Sequence, residues 1–444
     1  MSGGTRRTFL RAAGAGAAAV LLSGGTTAAW GSASQDAPGR TRVYVLVVDG
    51  CRPDEITSGT TPRLAGLRDA GANFPAARSL PVMETIPNHV MMMTGVRPDR
   101  SGVPANSVYD RALGEIRTLG LPEDLRFPTL LERVRELGLT SATVLSKDYL
   151  FGIFGERATY RWEPEPIVPA SGHAPDPFTV DAAMALVDEA DPDLCFVNLG
   201  DIDRMGHSDL TGTTLRAARE LALRTTDLQV GRFVDHVKDR GLWESSVFLV
   251  LADHSMDWSH AWKTVSARSI LSGGPGTAAM GGDALADRFA IAQNGGADLL
   301  YWVGPPAERE SGLTRATALL TAHDGVLAVH RPADLRLGPE AGDLVAYCAA
   351  GWRFTDPYVA SNPIPGNHGH PATEPIPFFV GGGSPLVRRG ATLSEPARTV
   401  DVAPTIGWLL GLTEPAGGYD GAVRNAAFTA SAFPVAGASV PPGR

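Results

Sequence analysis

The chain has 444 residues, 43% of them apolar and 7% aromatic, with 39 basic against 48 acidic side chains and a formal net charge of −9. That mix suits a globular chain with a sizeable core and argues against a collagen-like or wholly disordered one. The acidic balance argues against a protein that coats nucleic acid through a basic surface, yet a local site can still bind phosphate on an acidic protein.

The N-terminus comes first. Thr5-Arg6-Arg7-Thr8-Phe9-Leu10-Arg11 pairs two arginines, and a weakly hydrophobic Ala/Gly/Leu run follows to about Leu22. No acidic residue precedes Asp36, and small residues from Ala28 to Ala33 offer a cleavage site. Residues 1–33 resemble a twin-arginine export signal. The expectation is an exported, periplasmic or extracellular protein whose precursor meets the export machinery. Loss of Arg6, Arg7 and Arg11 takes the net charge from −9 to −12. No later apolar run is long enough to span a membrane. Cys51, Cys195 and Cys348 are too few for a disulfide framework; one bridge or free thiols both remain open.

Beyond residue 41 the pattern is that of one catalytic α/β domain. Arg42 to Val48 is a continuous β-branched run, which predicts a buried parallel strand. Helices are predicted over Thr61 to Gly71, Phe127 to Leu137, Val180 to Glu189, Leu215 to Arg240 and Val402 to Leu410. Strands are predicted over Ser141 to Leu145, Leu194 to Leu199, Ser246 to Leu251 and Phe378 to Val380. This alternation predicts a mostly parallel sheet with helices on both faces. A segment rich in Gly, Ala and Trp, 258–302, is expected to form a lid or side wall.

Candidate chemistry collects after the strands, where open α/β sheets place ligands. The first strand ends at Asp49-Gly50. Leu194–Leu199 leads to Asp201, Asp203 and His207. Ser246–Leu251 leads to Asp253-His254, and Gly366-Asn367-His368-Gly369-His370 lies downstream. Carboxylate and imidazole groups converging on one sheet edge are what zinc or a similar divalent metal takes. Each alone is weak, since an Asp ending a strand is more often a helix cap or turn residue; the four together carry the signal.

These residues resemble the alkaline phosphatase superfamily, and within it the type I phosphodiesterase / nucleotide pyrophosphatase branch. The resemblance runs from Val43 to about Leu412. It rests on Val47-Val48-Asp49-Gly50, Thr85-Ile86-Pro87-Asn88-His89, Thr94-Gly95, Asn106 to Asp110, Asp203-Arg204-Met205-Gly206-His207, Ala252-Asp253-His254, His368-Gly369 and Asp401 to Thr405, in that order. The resemblance implies two zinc ions, other divalent metals being possible. Asp49, Thr85, Asp253 and His254 would surround one ion, and Asp203, His207 and His368 the other. It implies Thr85 as nucleophile through a phosphothreonine, and Asn106 as a donor to a phosphoryl oxygen, helped by the backbone N–H of Thr85 or Ile86. The implied substrate is a small phosphate ester, a nucleotide among the possibilities.

Several choices stay open in the sequence. Asp201 competes with Asp203, and His370 with His368; spacing to His207 favours Asp203, and the His-Gly step of the family that the chain resembles favours His368. His89 reads as structural. Lys147 stands where some threonine-nucleophile relatives carry a substrate-binding lysine, but their second basic residue is replaced here by Tyr149. Lys147 is therefore either a substrate contact or a solvated loop residue. Cys51-Arg52-Pro53 starts like a sulfatase C-x-P-S-R motif, but Asp54 and Glu55 follow and Thr85 holds the nucleophile position. Alternative functions are a phosphomonoesterase or phosphonate hydrolase on the same site, or a metal-stabilised binding protein without catalysis.

Overall fold

The computed structural model describes residues 20–22, 40–169, 171–208, 214–260, 262–273, 285–357 and 364–429. The paired-arginine segment and Ala28 to Ala33 lie outside the described residues.

In chain order the strands of the two larger sheets are β1 (Val20–Leu22), β2 (Arg42–Val48), β3 (Ala72–Asn73), β4 (Ser141–Leu145), β5 (Tyr160–Trp162), β6 (Leu194–Leu199) and β7 (Ser246–Leu251). They continue with β8 (Phe289–Asn294), β9 (Ala297–Trp302), β10 (Val326–His330), β11 (Leu344–Cys348), β12 (Phe378–Gly381) and β13 (Ala391–Thr392). The longer helices include α1 (Pro62–Ala70), α2 (Thr85–Thr94), α3 (Asp148–Phe154), α4 (Asp176–Ala190), α5 (Asp201–His207), α6 (Thr214–Asp239), α7 (Arg309–Thr321) and α8 (Val402–Leu410).

The main sheet runs β1-β5-β4-β6-β2-β7-β12-β3-β13. From β5 to β7 every neighbour is parallel. Central β2 is apolar along its length because it is covered on both faces: Val43 to Val48 are at most 1% exposed. β12 runs antiparallel to β7, pairing Phe378 with Leu251. The chain enters β12 from the sheet edge that carries His368 and His370, and so runs back away from it instead of arriving through a crossover helix. The expected helix over Phe127 to Leu137 is shorter, one α turn at Leu130–Arg133 continued as a 3-10 turn at Val134–Leu137.

A second, antiparallel sheet, β8-β9-β11-β10, has its own apolar cluster around Leu300, Trp302, Leu313 and Phe354. It contains the later part of the 258–302 segment and extends well past it. Gly295 and Gly296 link β8 to β9 in a two-residue turn, Gly295 at φ +63°, which explains a glycine there. Cys51, Cys195 and Cys348 are buried free thiols. Among the described residues no helix is long and apolar enough to cross a membrane.

Candidate active site

The C-terminal ends of the parallel strands carry the polar residues, as the open-sheet rule requires. β2 delivers Asp49, β6 leads into α5 with Asp203 and His207, and β7 leads to Asp253 and His254. α2 starts at Thr85, and Lys147 follows β4. Gly50 lets the first two loops touch. Its φ is +70°, and a Cβ there would stand 3.0 Å from the Cα and Cβ of Asp203.

Two groups of candidate metal ligands result, Asp49 with Asp253 and His254, and Asp203 with His207 and His368. The three imidazoles share one tautomer. Nδ1 of His207 donates to the Gly366 carbonyl at 2.9 Å, that of His254 to Ser255 at 2.9 Å, and that of His368 to Met83 at 3.2 Å. Each Nε2 is therefore left with a lone pair, the state a metal takes. Burial pulls the His254 pKa down to about 4. Burial, then His254 and His207, hold His368 well below its usual range. Each carboxylate also keeps one buried oxygen without a hydrogen-bond partner: Asp49 Oδ1, Asp203 Oδ1 and Asp253 Oδ2. The three orphaned oxygens and the three imidazole Nε2 atoms fit divalent ions, and such oxygens would be costly left unligated.

Thr85 lies where the groups meet. Its Oγ1 is 3.3 Å from His254 Nε2 and accepts from Lys147 Nζ at 3.3 Å. The His254 and His368 rings stack with centroids 3.7 Å apart. Lys147 is fully buried and no solvated loop residue: Nζ reaches Asp49 Oδ2 at 2.7 Å and Asp203 Oδ2 at 2.9 Å. Burial alone would lower its pKa, but Asp203 and Asp49 outweigh that and raise it. Burial alone would raise the Asp203 pKa, but the same ammonium, the largest opposing influence, holds that carboxyl well below its usual range.

Asn106 Oδ1 accepts from the Ile86 N–H at 2.8 Å, which fixes the amide so that Nδ2 is the group left for the cavity. Of the two backbone N–H groups expected to help at a phosphoryl oxygen, Thr85 or Ile86, that of Ile86 is taken by Asn106. Glu84 Oε2 accepts from the Asn106 N–H at 2.7 Å, and burial pushes the Glu84 pKa up to about 8.

The competing residues have other partners. Asp201 accepts from His173 Nε2 at 2.7 Å, and His370 Nε2 contacts Asp257 at 3.0 Å. His89 donates from Nδ1 to the Thr85 carbonyl at 2.8 Å and accepts on Nε2 from Asn198. Sequence reasoning missed Asn198, Glu84 and Arg204. Asn198 Nδ2 also donates to Asp49 Oδ2 at 2.8 Å, orienting that carboxylate. The signal available for it was a lone amide in the otherwise apolar β6, LCFVNL.

A cavity of about 340 Å³ opens beside these groups, walled by Thr85, Asn106, Tyr149 and Arg204 on one side and by Gln293 to Gly295 of the second sheet.

A mostly parallel sheet with these ligand groups at its strand ends defines an α/β protein of alkaline phosphatase type. Residues 43–370 match the model of the type I phosphodiesterase / nucleotide pyrophosphatase family, and the chain belongs to that family. An uncharacterised pyrophosphatase/phosphodiesterase of Schizosaccharomyces pombe is 24% identical over 228 residues, 48% of this chain. The match spans 44% of that relative's length. Murine ectonucleotide pyrophosphatase/phosphodiesterase 5, solved as an inactive threonine-to-alanine variant with AMP, is 17% identical with a TM-score of 0.70, covering 88% of this chain and all of that one. Phosphonoacetate hydrolase of Sinorhizobium meliloti 1021, solved with phosphonoformate, is 20% identical with a TM-score of 0.62, covering 82% and 94%.

Proposed function

We propose that this chain is an exported hydrolase of phosphodiester and nucleotide pyrophosphate bonds, with Thr85 as nucleophile and two divalent ions, zinc being the expected metal. One observation carries the reading: two candidate ligand groups meet at the buried Thr85 hydroxyl. Asp49, Asp253, His254 and Thr85 would hold one ion, and Asp203, His207 and His368 the other. Such a pair, when bound, neutralises phosphoryl charge and favours ionised oxygen nucleophiles.

The chain's own groups do the rest. Thr85 Oγ forms a bond to phosphorus as the bond to the leaving oxygen breaks, and water then cleaves the phosphothreonine and restores the hydroxyl. The Lys147 ammonium, 3.3 Å from Thr85 Oγ1, favours the deprotonated nucleophile. Asn106 Nδ2 donates to a non-bridging phosphoryl oxygen. Lys147 is already committed to Asp49 and Asp203, so it is not itself the extra free charge that a monoester dianion calls for. The family match favours the diester. The AMP complex of the murine relative supports a nucleotide substrate. The likeness to phosphonoacetate hydrolase keeps phosphonate hydrolysis as the second reading.

The test compares kcat/KM on bis-p-nitrophenyl phosphate, p-nitrophenyl thymidine 5′-phosphate and p-nitrophenyl phosphate with zinc-loaded protein. The expected diester-to-monoester ratio exceeds about ten, roughly 1.4 kcal/mol of transition-state preference. A monoester preference overturns the reading in favour of a phosphatase. Export rests on the Arg6-Arg7 pair, and replacing both by Lys should trap the precursor inside the cell.

A further inference from the structure

Among the described residues the cavity wall holds one Arg or Lys side chain, Arg204. It follows Asp203 on α5, and its Nη2 donates to the Tyr149 hydroxyl at 3.1 Å, which fixes the guanidinium plane. Its Nε lies 3.9 Å from Asp203 Oδ2, too long for a hydrogen bond, and is buried without a partner. Among the described residues Tyr149 is the sole hydrogen-bond acceptor of this guanidinium. Glu84 also lines the cavity, but its Oε2 is taken by the Asn106 N–H. Lys147, by contrast, is neutralised by two carboxylates. Arg204 is thus a permanently charged planar fork with donors to spare, beside a candidate metal carboxylate. Such a fork suits the paired oxygens of a phosphate or carboxylate.

We propose that Arg204 is a specificity-determining residue that reads a second anionic group on the substrate, beyond the phosphorus that Thr85 attacks. That group is the neighbouring phosphate of a pyrophosphate link or a carboxylate near the phosphorus. Tyr149 is the positioning residue. The proposal rests on the phosphoryl-transfer reading of the Thr85 site.

The test uses metal-loaded Thr85→Ala protein, which binds without turnover, with metal content measured before and after calorimetric titration. Two ligand pairs differ by one anionic group each: thymidine 5′-monophosphate against the diphosphate, and methylphosphonate against phosphonoacetate. In at least one pair the doubly substituted member should bind about tenfold or more tightly, and adding Arg204→Gln should cut that advantage to under about threefold. The pair that responds identifies phosphate or carboxylate as the group read. Arg204→Lys, keeping charge without the fork, should recover part of the advantage. Unchanged ratios in both pairs overturn the assignment. So does an equal loss for both members of each pair, which would put Arg204 on the attacked phosphoryl group. Failure of all four ligands to bind Thr85→Ala protein that holds its metal overturns the phosphoryl-transfer reading itself.

Discussion

Lys147 Nζ and Asp49 Oδ2 lie 2.7 Å apart with both side chains fully buried, and the same ammonium reaches Asp203 at 2.9 Å. One cation thereby joins a carboxylate from each candidate ligand group. Asp253 sits beside them, and its charge adds to burial in raising the Asp49 pKa. Three carboxylates in a dry site repel one another, so without metal the lysine is the charge that keeps the pocket folded.

Lys147→Met should therefore destabilise the metal-free chain by about 3–5 kcal/mol, the cost of leaving buried charges uncompensated. Added zinc should restore much of that loss, because the ions supply the missing charge. Denaturant unfolding with and without zinc measures both. An equal loss in the two conditions would mean that Lys147 matters for packing alone.

Thr85→Ala should keep the fold and about two metal ions per chain, since six other donors remain. Turnover should fall by roughly 10⁴-fold or more, as when a nucleophile is removed elsewhere. Metal analysis alongside the rate separates the two roles. Comparable activity in the variant would remove Thr85 from the reaction.

Asn106→Ala deletes the amide that bridges Ile86 and the cavity. With its phosphoryl contact gone, kcat should drop about 10²–10³-fold with little change in KM. The stranded Ile86 N–H should cost about 1–3 kcal/mol if it stays dry. A pure stability loss with kcat intact would make Asn106 a clamp for α2 and nothing more.

The parallel sheet was legible because β2, β6 and β7 are buried on both faces and so read as unbroken apolar runs. The candidate ligand groups were legible because Asp and His residues follow the strands in the sequence. Lys147 was not, since its place beside Asp49 and Asp203 depends on β4 lying next to β6. Arg204 was hidden for a similar reason: its Tyr149 partner comes from α3, 55 positions away. The second sheet escaped notice because its alternate residues face different surroundings. On β9, apolar Leu300 and Trp302 join one cluster while Leu299 and Tyr301 join another.

The same sheet supplies a pH-dependent test. Asp298 on β9 is fully buried, and neither of its oxygens has a hydrogen-bond partner. It faces Asp356, whose carboxylate accepts from Ser266 Oγ at 2.8 Å and from the N–H groups of Ala267 at 2.7 Å and Arg268 at 2.8 Å. Asp356 thus accepts three hydrogen bonds at a helix start, whereas Asp298 accepts none. Burial, then the Asp356 charge, push the Asp298 pKa well above the usual carboxylate range. An unfolded aspartate titrates near 4. Between that value and the raised folded pKa, the folded chain holds a proton that the unfolded chain has released. Stability is therefore highest below the unfolded pKa and falls as pH rises toward the folded one. Asp298→Asn keeps a donor toward Asp356 but has no proton to lose. Compared at equal metal content, the variant should match wild type near pH 4 and exceed it at pH 7, the gap growing with pH up to the folded pKa. Urea unfolding at pH 5, 7 and 9 reads the trend, and a gap that stays flat with pH would show that Asp298 ionises as freely in the folded chain as in the unfolded one.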